Sequence, residues 1–509
     1  MNLSLSHSLL APQRFVDNIG MYRLVSGSLA TLAGLSVVFG FIGWLPYSGQ
    51  SQLLALVLAV AVALFLNIVT AKASGIPANH ESAIITALIL FFLVIPGETV
   101  MANWPLVAAV AIGIMSKFTL VYKKQHFLNP AAFGAAALSV PGLYVFSWWV
   151  GNPTLFIPLV VLGGLVVLKV RKWTPVLCFL SVGLLTFLIE AVRYGDSVET
   201  ILQTYFMSWP VLFLGFYMLT EPFTMPPTKS AQAAYGVLVG FLVNTALFAP
   251  LFSMTPELAL LIGNVAVAPL RLRQKLHLTL IEKKEIAKNT FEFVFKKPKG
   301  FTFIAGQYIE WMLPHSNPDH KGIRRYFTIG SSPTESTVRA AMKIEDTPSS
   351  FKQALRSLDM NGIAIGSQLA GDFVLPKNTS KKLGFIAGGI GVTPFRSHIQ
   401  FMIDADKTFD SILFYGNNST GEIAYESLFA KAAATFSFAV VHVISREAVE
   451  APYERGYINA EIIKRRSPDY CERIWYISGP PGMVRACKRE LRSLRVPLKH
   501  IKTDFFSGA

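Results

Sequence analysis

Three segments decide how the C-terminal half of this chain folds. They are Arg325-Tyr326-Phe327-Thr328 with Ser331-Ser332-Pro333, then Gly388-Gly389-Ile390-Gly391-Val392-Thr393-Pro394, then Ser478-Gly479-Pro480-Pro481-Gly482-Met483. An arginine fork can grip a pyrophosphate bidentately. Phe327 offers a flat apolar face and Thr328 a hydroxyl. The glycines directly follow the apolar run Gly384-Phe385-Ile386-Ala387. There they let backbone N–H groups approach phosphate at a helix N-terminus. Their spacing is not the three-glycine GxGxxG fingerprint, so position and order carry the reading.

The flanking patterns supply that position. From Leu276 to about Pro376 the chain alternates as strands do, in Thr290–Phe295, Gln307–Trp311 and Val338–Ile344. One helix, Ser350 to Leu358, interrupts them. Short strands with Gly and Pro turns predict a small antiparallel β-barrel. From Lys382 the apolar strands Leu383–Ala387, Ser411–Tyr415, Ala439–Ile444 and Ile474–Ser478 alternate with helices. That pattern predicts a doubly wound parallel α/β domain.

Taken in order, these motifs resemble the ferredoxin–NADP reductase superfamily over about residues 275–509. The resemblance implies FAD (or FMN) held between two domains, with the nicotinamide at the glycine turn. Arg325, Phe327 and Thr328 would then bind flavin, Thr328 as the catalytic group hydrogen-bonding its N5. Ser349 and Ser350, at the helix start, would lie near the flavin phosphate. Phe506, in the tail Asp504-Phe505-Phe506-Ser507-Gly508-Ala509, is the candidate aromatic over the flavin ring. Gly388, Gly389, Gly391, Thr393, Pro394, Gly479, Pro480 and Met483 would hold NAD(P)H. Many members have Cys before Gly-Pro-Pro, where this chain has Ser478. Ser445, Arg446, Arg455 and Tyr457 form a set of two cations and hydroxyls suited to a 2′-phosphate, which favours NADPH over NADH.

The N-terminal half has a different composition. Residues 1–270 hold 11 Lys and Arg against 8 Asp and Glu, and residues 271–509 hold 35 against 23. The net charge of +15 therefore divides into +3 and +12. Ten apolar runs lie near 22–45, 51–71, 82–97, 103–121, 131–150, 154–169, 174–192, 205–220, 231–250 and 256–270. A helix needs roughly 20 apolar residues to cross about 30 Å of hydrocarbon. With ten spans, Arg14, Arg23, Lys72, Lys123, Lys124, Lys169, Arg171, Lys172, Lys229, Arg271 and Arg273 share one side. Arg193 alone stands opposite, with Glu98, Asp196, Glu199 and Glu257. The positive-inside rule makes the first side cytoplasmic, with both termini.

Three polar, turn-rich stretches fall on that face: Asn79–Ser82, His126–Ala132 and Thr220–Thr228. The last two are candidates for a cofactor or quinone pocket, with Asn129, Glu221 and Thr228 as its residues, because irregular backbone beside hydrocarbon lines cavities. Asn129-Pro130-Ala131-Ala132, the Thr220-Glu221-Pro222…Pro226-Pro227-Thr228 segment and the ten-span layout resemble the related membrane subunits of two ion-translocating complexes, the sodium-pumping NADH:quinone reductase and the Rnf complex. Those subunits hold flavin, FMN being attached through Thr in a Ser/Thr-Gly-Ala-Thr context. This chain has no such tetrapeptide, so any second flavin (FMN or riboflavin) would be noncovalent. The nine histidines all lie outside the ten runs, which argues against haem. His80 and His126, at the cytoplasmic ends of runs, read as lone polar histidines. Three cysteines without a CxxC argue against an iron–sulfur centre, and no metal site is expected.

The domains expected are a polytopic all-α membrane domain at 1–271, an FAD-binding barrel at 272–378 and an NAD(P)-binding α/β domain at 379–509. The expected enzyme is an NAD(P)H-dependent flavin oxidoreductase in a prokaryotic plasma membrane. It would pass electrons through FAD to quinone, a second flavin or a partner redox protein, with no nucleic acid involved. The alternative is a membrane anchor or an ion or solute conduit regulated by a reductase domain.

Overall fold

The computed structural model describes residues 16, 19–74, 78–122, 125–195, 197–243, 254–270, 275–319 and 322–504. Arg14, Lys123, Lys124, Asp196, Arg271, Arg273, Phe506 and the end of the ninth apolar run lie outside them. The chain divides into two compact units between Gln274 and Lys275.

The N-terminal unit is helical: α1 Met21–Phe41, α2 Gly49–Ala73, α3 His80–Leu93, α4 Trp104–Thr119, α5 Pro130–Ser139, α6 Pro153–Val170, α7 Trp173–Tyr194, α8 Val198–Ser208, α9 Val211–Met218, α10 Lys229–Leu242 and α11 Pro256–Val267. Four apolar runs become helices long and apolar enough to cross a membrane, or five if the bent pair α8–α9 is one span. That is fewer than ten, because helix signals cut the other runs short. Asn129-Pro130, Asn152-Pro153 and Thr255-Pro256 each place a capping side chain before a proline in the first turn. Pro210 lies at the 50° bend between α8 and α9, where its ring and missing N–H interrupt the ladder. Glycines draw α7 and α10 together. A Cβ on Gly236 would sit 2.3 Å from Pro175 O, and one on Gly240 2.5 Å from Phe179 O.

The C-terminal unit has two six-stranded sheets. The first is antiparallel, in the order β4-β3-β6-β1-β2-β5, from β1 Leu276–Ala287, β2 Thr290–Lys296, β3 Tyr308–Met312, β4 Arg324–Thr328, β5 Thr337–Lys343 and β6 Ile363–Ala370. The expected barrel is seen here as this sheet, with β4 and β5 at its edges. Long β1 pairs with β6 through its first residues and with β2 through the rest, with register shifts after Leu280 and Glu285. Helix α12, Ser350–Ser357, precedes β6.

The second sheet is parallel, in the order β10-β9-β8-β7-β11-β12. Its strands are β7 Leu383–Gly388, β8 Ser411–Asn417, β9 Phe438–Ile444, β10 Glu454–Arg455, β11 Ile474–Ser478 and β12 Ile501–Asp504. The intervening helices are α13 Thr393–Asp404, α14 Glu426–Thr435, α15 Ala460–Arg466 and α16 Pro481–Ser493. Every residue of β7 is buried, as the central strand of a parallel sheet must be. At the amino ends of β7, β8 and β11 one buried guanidinium joins three segments. Arg473 donates to Leu383 O (2.9 Å), to Asp410 Oδ1 (3.0 Å) and to Asp469 Oδ1 (2.8 Å).

Candidate functional site

At the carboxyl end of β7 the chain turns through Gly388–Gly391 into α13. Gly389 has φ +51° and faces open space, so a left-handed turn there leaves room for a ligand. A Cβ on Gly391 would stand 2.5 Å from Gly479 Cα and from Ser478 O. The turns after β7 and β11 therefore rest on each other's backbone. β7 lies between β8 and β11, where the winding reverses, and ligands of such sheets bind beyond the carboxyl ends at that switch point. Thr393 Oγ1 donates to Ile390 O at 2.8 Å, and Pro394 sits in the first turn of α13. Met483 Sδ stands so close to Gly388 that a Cβ there would meet it at 2.1 Å, with Pro480 beside it.

The phosphate candidates gather at the far end of β9. Ser445 Oγ donates to Asn417 O at 3.3 Å, and exposed Arg446 follows it. Arg455, also exposed, pairs with Ile444 in register, and Tyr457 is 74% exposed two residues on. Two cations and two hydroxyls thus share one open corner. Residues 385–489 match the oxidoreductase NAD-binding domain family. All the nucleotide-turn residues just named fall inside that match.

Over 236 residues the chain is 24% identical to the glycine betaine monooxygenase reductase subunit of Chromohalobacter salexigens, which covers 43% of this chain. Over 141 residues it is 33% identical to a Na(+)-translocating NADH-quinone reductase subunit of Actinobacillus pleuropneumoniae, covering 26% of this chain. The chain spans 60% of the first relative's length and 34% of the second's. A crystal structure of a ferredoxin NADP+ reductase from Neisseria gonorrhoeae with bound FAD and NADP aligns with 45% of this chain and 98% of its own, at 21% identity and a TM-score of 0.39. The C-terminal unit is an oxidoreductase module of the ferredoxin–NADP reductase-like type.

On the antiparallel sheet, edge strand β4 presents Arg325, Phe327 and Thr328, all buried. Arg325 is 5% exposed and its Nη1 is held by Gly322 O and Arg324 O, both at 2.8 Å. Burial pulls its pKa below the usual guanidinium value, and Asp319 works against that. Ser349 caps α12 by accepting from Lys352 N, and Ser350 opens the helix beside Asp319. Phe327 packs on Phe351, ring centroids 5.8 Å apart. Thr328 Oγ1 donates to Asp504 Oδ2 at 3.5 Å, linking β4 to the end of β12. A buried guanidinium beside a helix N-terminus fits a flavin phosphate, with a flat ring and a hydroxyl farther along the strand.

Ser331 and Ser332 are fully buried. Ser397 Oγ donates to Ser331 O, and Arg396 Nη1 donates to Gly330 O at 3.0 Å. The Ser-Ser-Pro segment thus docks α13. The sequence reading misses Arg396 and its partner Glu335, and nothing local marks that pair.

In the N-terminal unit, Asn129 and Glu221 line one cavity of about 660 Å³, including its open mouth, together with Ser82, His126 and Tyr217. Asn129 Oδ1 caps α5 at 3.0 Å from Ala132 N, and its own N–H donates to Asn264 Oδ1 at 2.8 Å. His126, expected as a lone polar histidine, pairs with Glu221 at 3.4 Å. Thr228 is not among the lining residues and caps α10 instead. Lys117 falls inside the fourth apolar run, where nothing in the pattern singles it out. Its Nζ donates to Ser82 O at 2.8 Å and Ser82 Oγ at 3.0 Å, beside the same cavity.

Proposed function

We propose that this chain is a membrane-bound NAD(P)H-dependent flavoprotein oxidoreductase that delivers electrons to an acceptor at its helical unit. The observation that carries the reading is the mutual seating of the Gly391 and Gly479 turns at the switch point of the parallel sheet. When bound, flavin supplies a centre that takes an electron pair from NAD(P)H and releases electrons singly. Arg325 and the start of α12, with Ser349 and Ser350, hold its phosphate. Phe327 flanks its ring and Thr328 hydrogen-bonds beside it. Gly388–Gly391, Thr393, Pro394, Gly479, Pro480 and Met483 seat the nicotinamide nucleotide. Ser445, Arg446, Arg455 and Tyr457 select the 2′-phosphate of NADPH. The buried Ser331–Ser332 segment keeps water from behind β4. No side chain acts as nucleophile. The protein orients two rings and excludes solvent.

The membrane reading draws support from α2. It buries Ala55, Ala59 and Ala63 and turns Leu53, Val57, Phe65, Ile68 and Val69 outward, each more than 40% exposed. An apolar surface of that kind suits lipid better than water. On this reading the helical unit is a multi-pass domain similar to the flavin-holding membrane subunit of the Rnf complex, in a prokaryotic inner membrane with both termini cytoplasmic. The cavity at Asn129 and Glu221 receives quinone, a second flavin or a partner's redox group.

Full-length protein purified in detergent tests this. Flavin should be extractable, and NAD(P)H should reduce ferricyanide. Asn129→Ala and Glu221→Gln should spare that activity and abolish reduction of the membrane acceptor. Unchanged membrane reduction in both would remove the acceptor site from the proposal.

A further inference from the structure

Asp319 occupies the place where the flavin site would hold an anion. Its carboxylate accepts from Arg325 Nη2 at 2.9 Å through Oδ1 and 2.8 Å through Oδ2. Its Oδ2 also accepts from Ser350 N, the first N–H of α12, at 3.2 Å. Its own N–H donates to Ser350 Oγ at 2.9 Å, which fixes the side chain over the helix end. One carboxylate thus takes up a guanidinium and a helix N-terminal N–H together. Those two donors are the set that phosphate recognition uses.

The setting makes this more than a surface ion pair. Arg325 is 5% exposed, while Asp319 is 28% exposed and approaches from the solvent side. The guanidinium cannot follow a departing carboxylate. Its Nη1 is fixed by two backbone carbonyls, and its carbon lies 5.5 Å from the Phe351 ring centroid. A buried arginine left without an anion is strongly disfavoured. Asp319 supplies that anion when no cofactor does. A phosphate taking the same donors would stand against the carboxylate, and two anions sharing one fork repel.

We propose that Asp319 is an internal stand-in for the flavin phosphate, and that the two exchange on Arg325 and the start of α12. The inference rests on the reading of Arg325 and Ser350 as the flavin-phosphate site. The exchange breaks no covalent bond. The Asp319 side chain leaves for solvent and the phosphate takes over its two donors. Asp319 therefore protects the cofactor-free protein and lowers flavin affinity.

The test is FAD titration of flavin-free, full-length protein in detergent, followed by flavin fluorescence, for the wild type, Asp319→Asn and Asp319→Ser. Both variants should bind FAD about tenfold more tightly, the size expected when a charge-assisted competitor is removed. Thermal midpoints provide the second readout. The flavin-free variants should melt earlier than flavin-free wild type, and the loaded proteins should melt together. Equal or weaker FAD binding by both folded variants overturns the exchange. So does an unchanged midpoint of the flavin-free variants. If the wild type itself takes up no FAD, the reading of the site falls instead.

Discussion

Arg396 Nη2 lies 2.9 Å from Glu335 Oε1, and the same guanidinium reaches Glu335 Oε2 and Gly330 O. One residue belongs to the helix that leaves the glycine turn, the other to the turn that follows the flavin strand. Their pairing bonds the parallel layer to the antiparallel one, immediately behind both sets of candidate cofactor residues.

Breaking that pair should be costly. Both side chains are under a fifth exposed, and removing one partner leaves a buried charge behind. Arg396→Met should destabilise the C-terminal unit by about 3–5 kcal/mol. Flavin release on heating of the full-length protein should then begin at a clearly lower temperature than in wild type.

The two glycines of the turn after β7 should respond differently to alanine. At Gly391 the new methyl would meet Gly479 and Ser478 backbone at 2.5 Å, and neither can rotate away. Gly391→Ala should abolish NAD(P)H-driven ferricyanide reduction. At Gly389 the methyl meets nothing, and the penalty is the left-handed backbone alone, about 1–2 kcal/mol. Gly389→Ala should therefore leave a folded enzyme. Comparable steady-state activity in the two variants would refute the distinction.

Nucleotide preference should move with Arg446. Arg446→Ala should lower kcat/KM for NADPH by about 10- to 100-fold, the worth of a charge-assisted hydrogen bond, and change NADH by little. Equal losses with both nucleotides would assign Arg446 to stability and leave the 2′-phosphate unread.

Acid should loosen the parallel sheet at its amino end. Burial alone would raise the Asp469 carboxyl, but hydrogen bonds from Arg473 and Lys382 outweigh it and hold the pKa at about 2 instead of 3.8. A depressed carboxylate stabilises the fold above its unfolded pKa, and the contribution fades as pH falls through the folded value. Asp469→Asn should be less stable than wild type above pH 3.8, with the gap closing toward pH 2. Denaturation midpoints across that window would show it.

Much of the C-terminal unit is legible in advance because its signals are local. Strand alternation, glycine punctuation and motif order need only neighbouring residues, and β7, β8, β9 and β11 all lie where the apolar runs put them. Asp319, Arg396 and Glu335 escape because they find their partners through the fold, Arg396 across 61 positions of sequence. In the helical unit, hydropathy locates the helices but not their lengths. Asn129-Pro130 reads as a pocket motif, and the same two residues start a helix, so a single segment carries two meanings that sequence cannot separate. Lys117 escapes because one charge barely lowers the mean of a long apolar run.

The Arg473 junction gives the parallel sheet two unlike ends. One end is cross-stitched by a single cation holding three segments, and the other is two bare glycine turns leaning on each other. A structure bound along one margin yields at the opposite margin, as pages do away from the spine. Thermal motion in this layer is therefore directed toward the nucleotide corner, and substitutions at Arg473 would change how that distant margin moves while leaving its residues untouched.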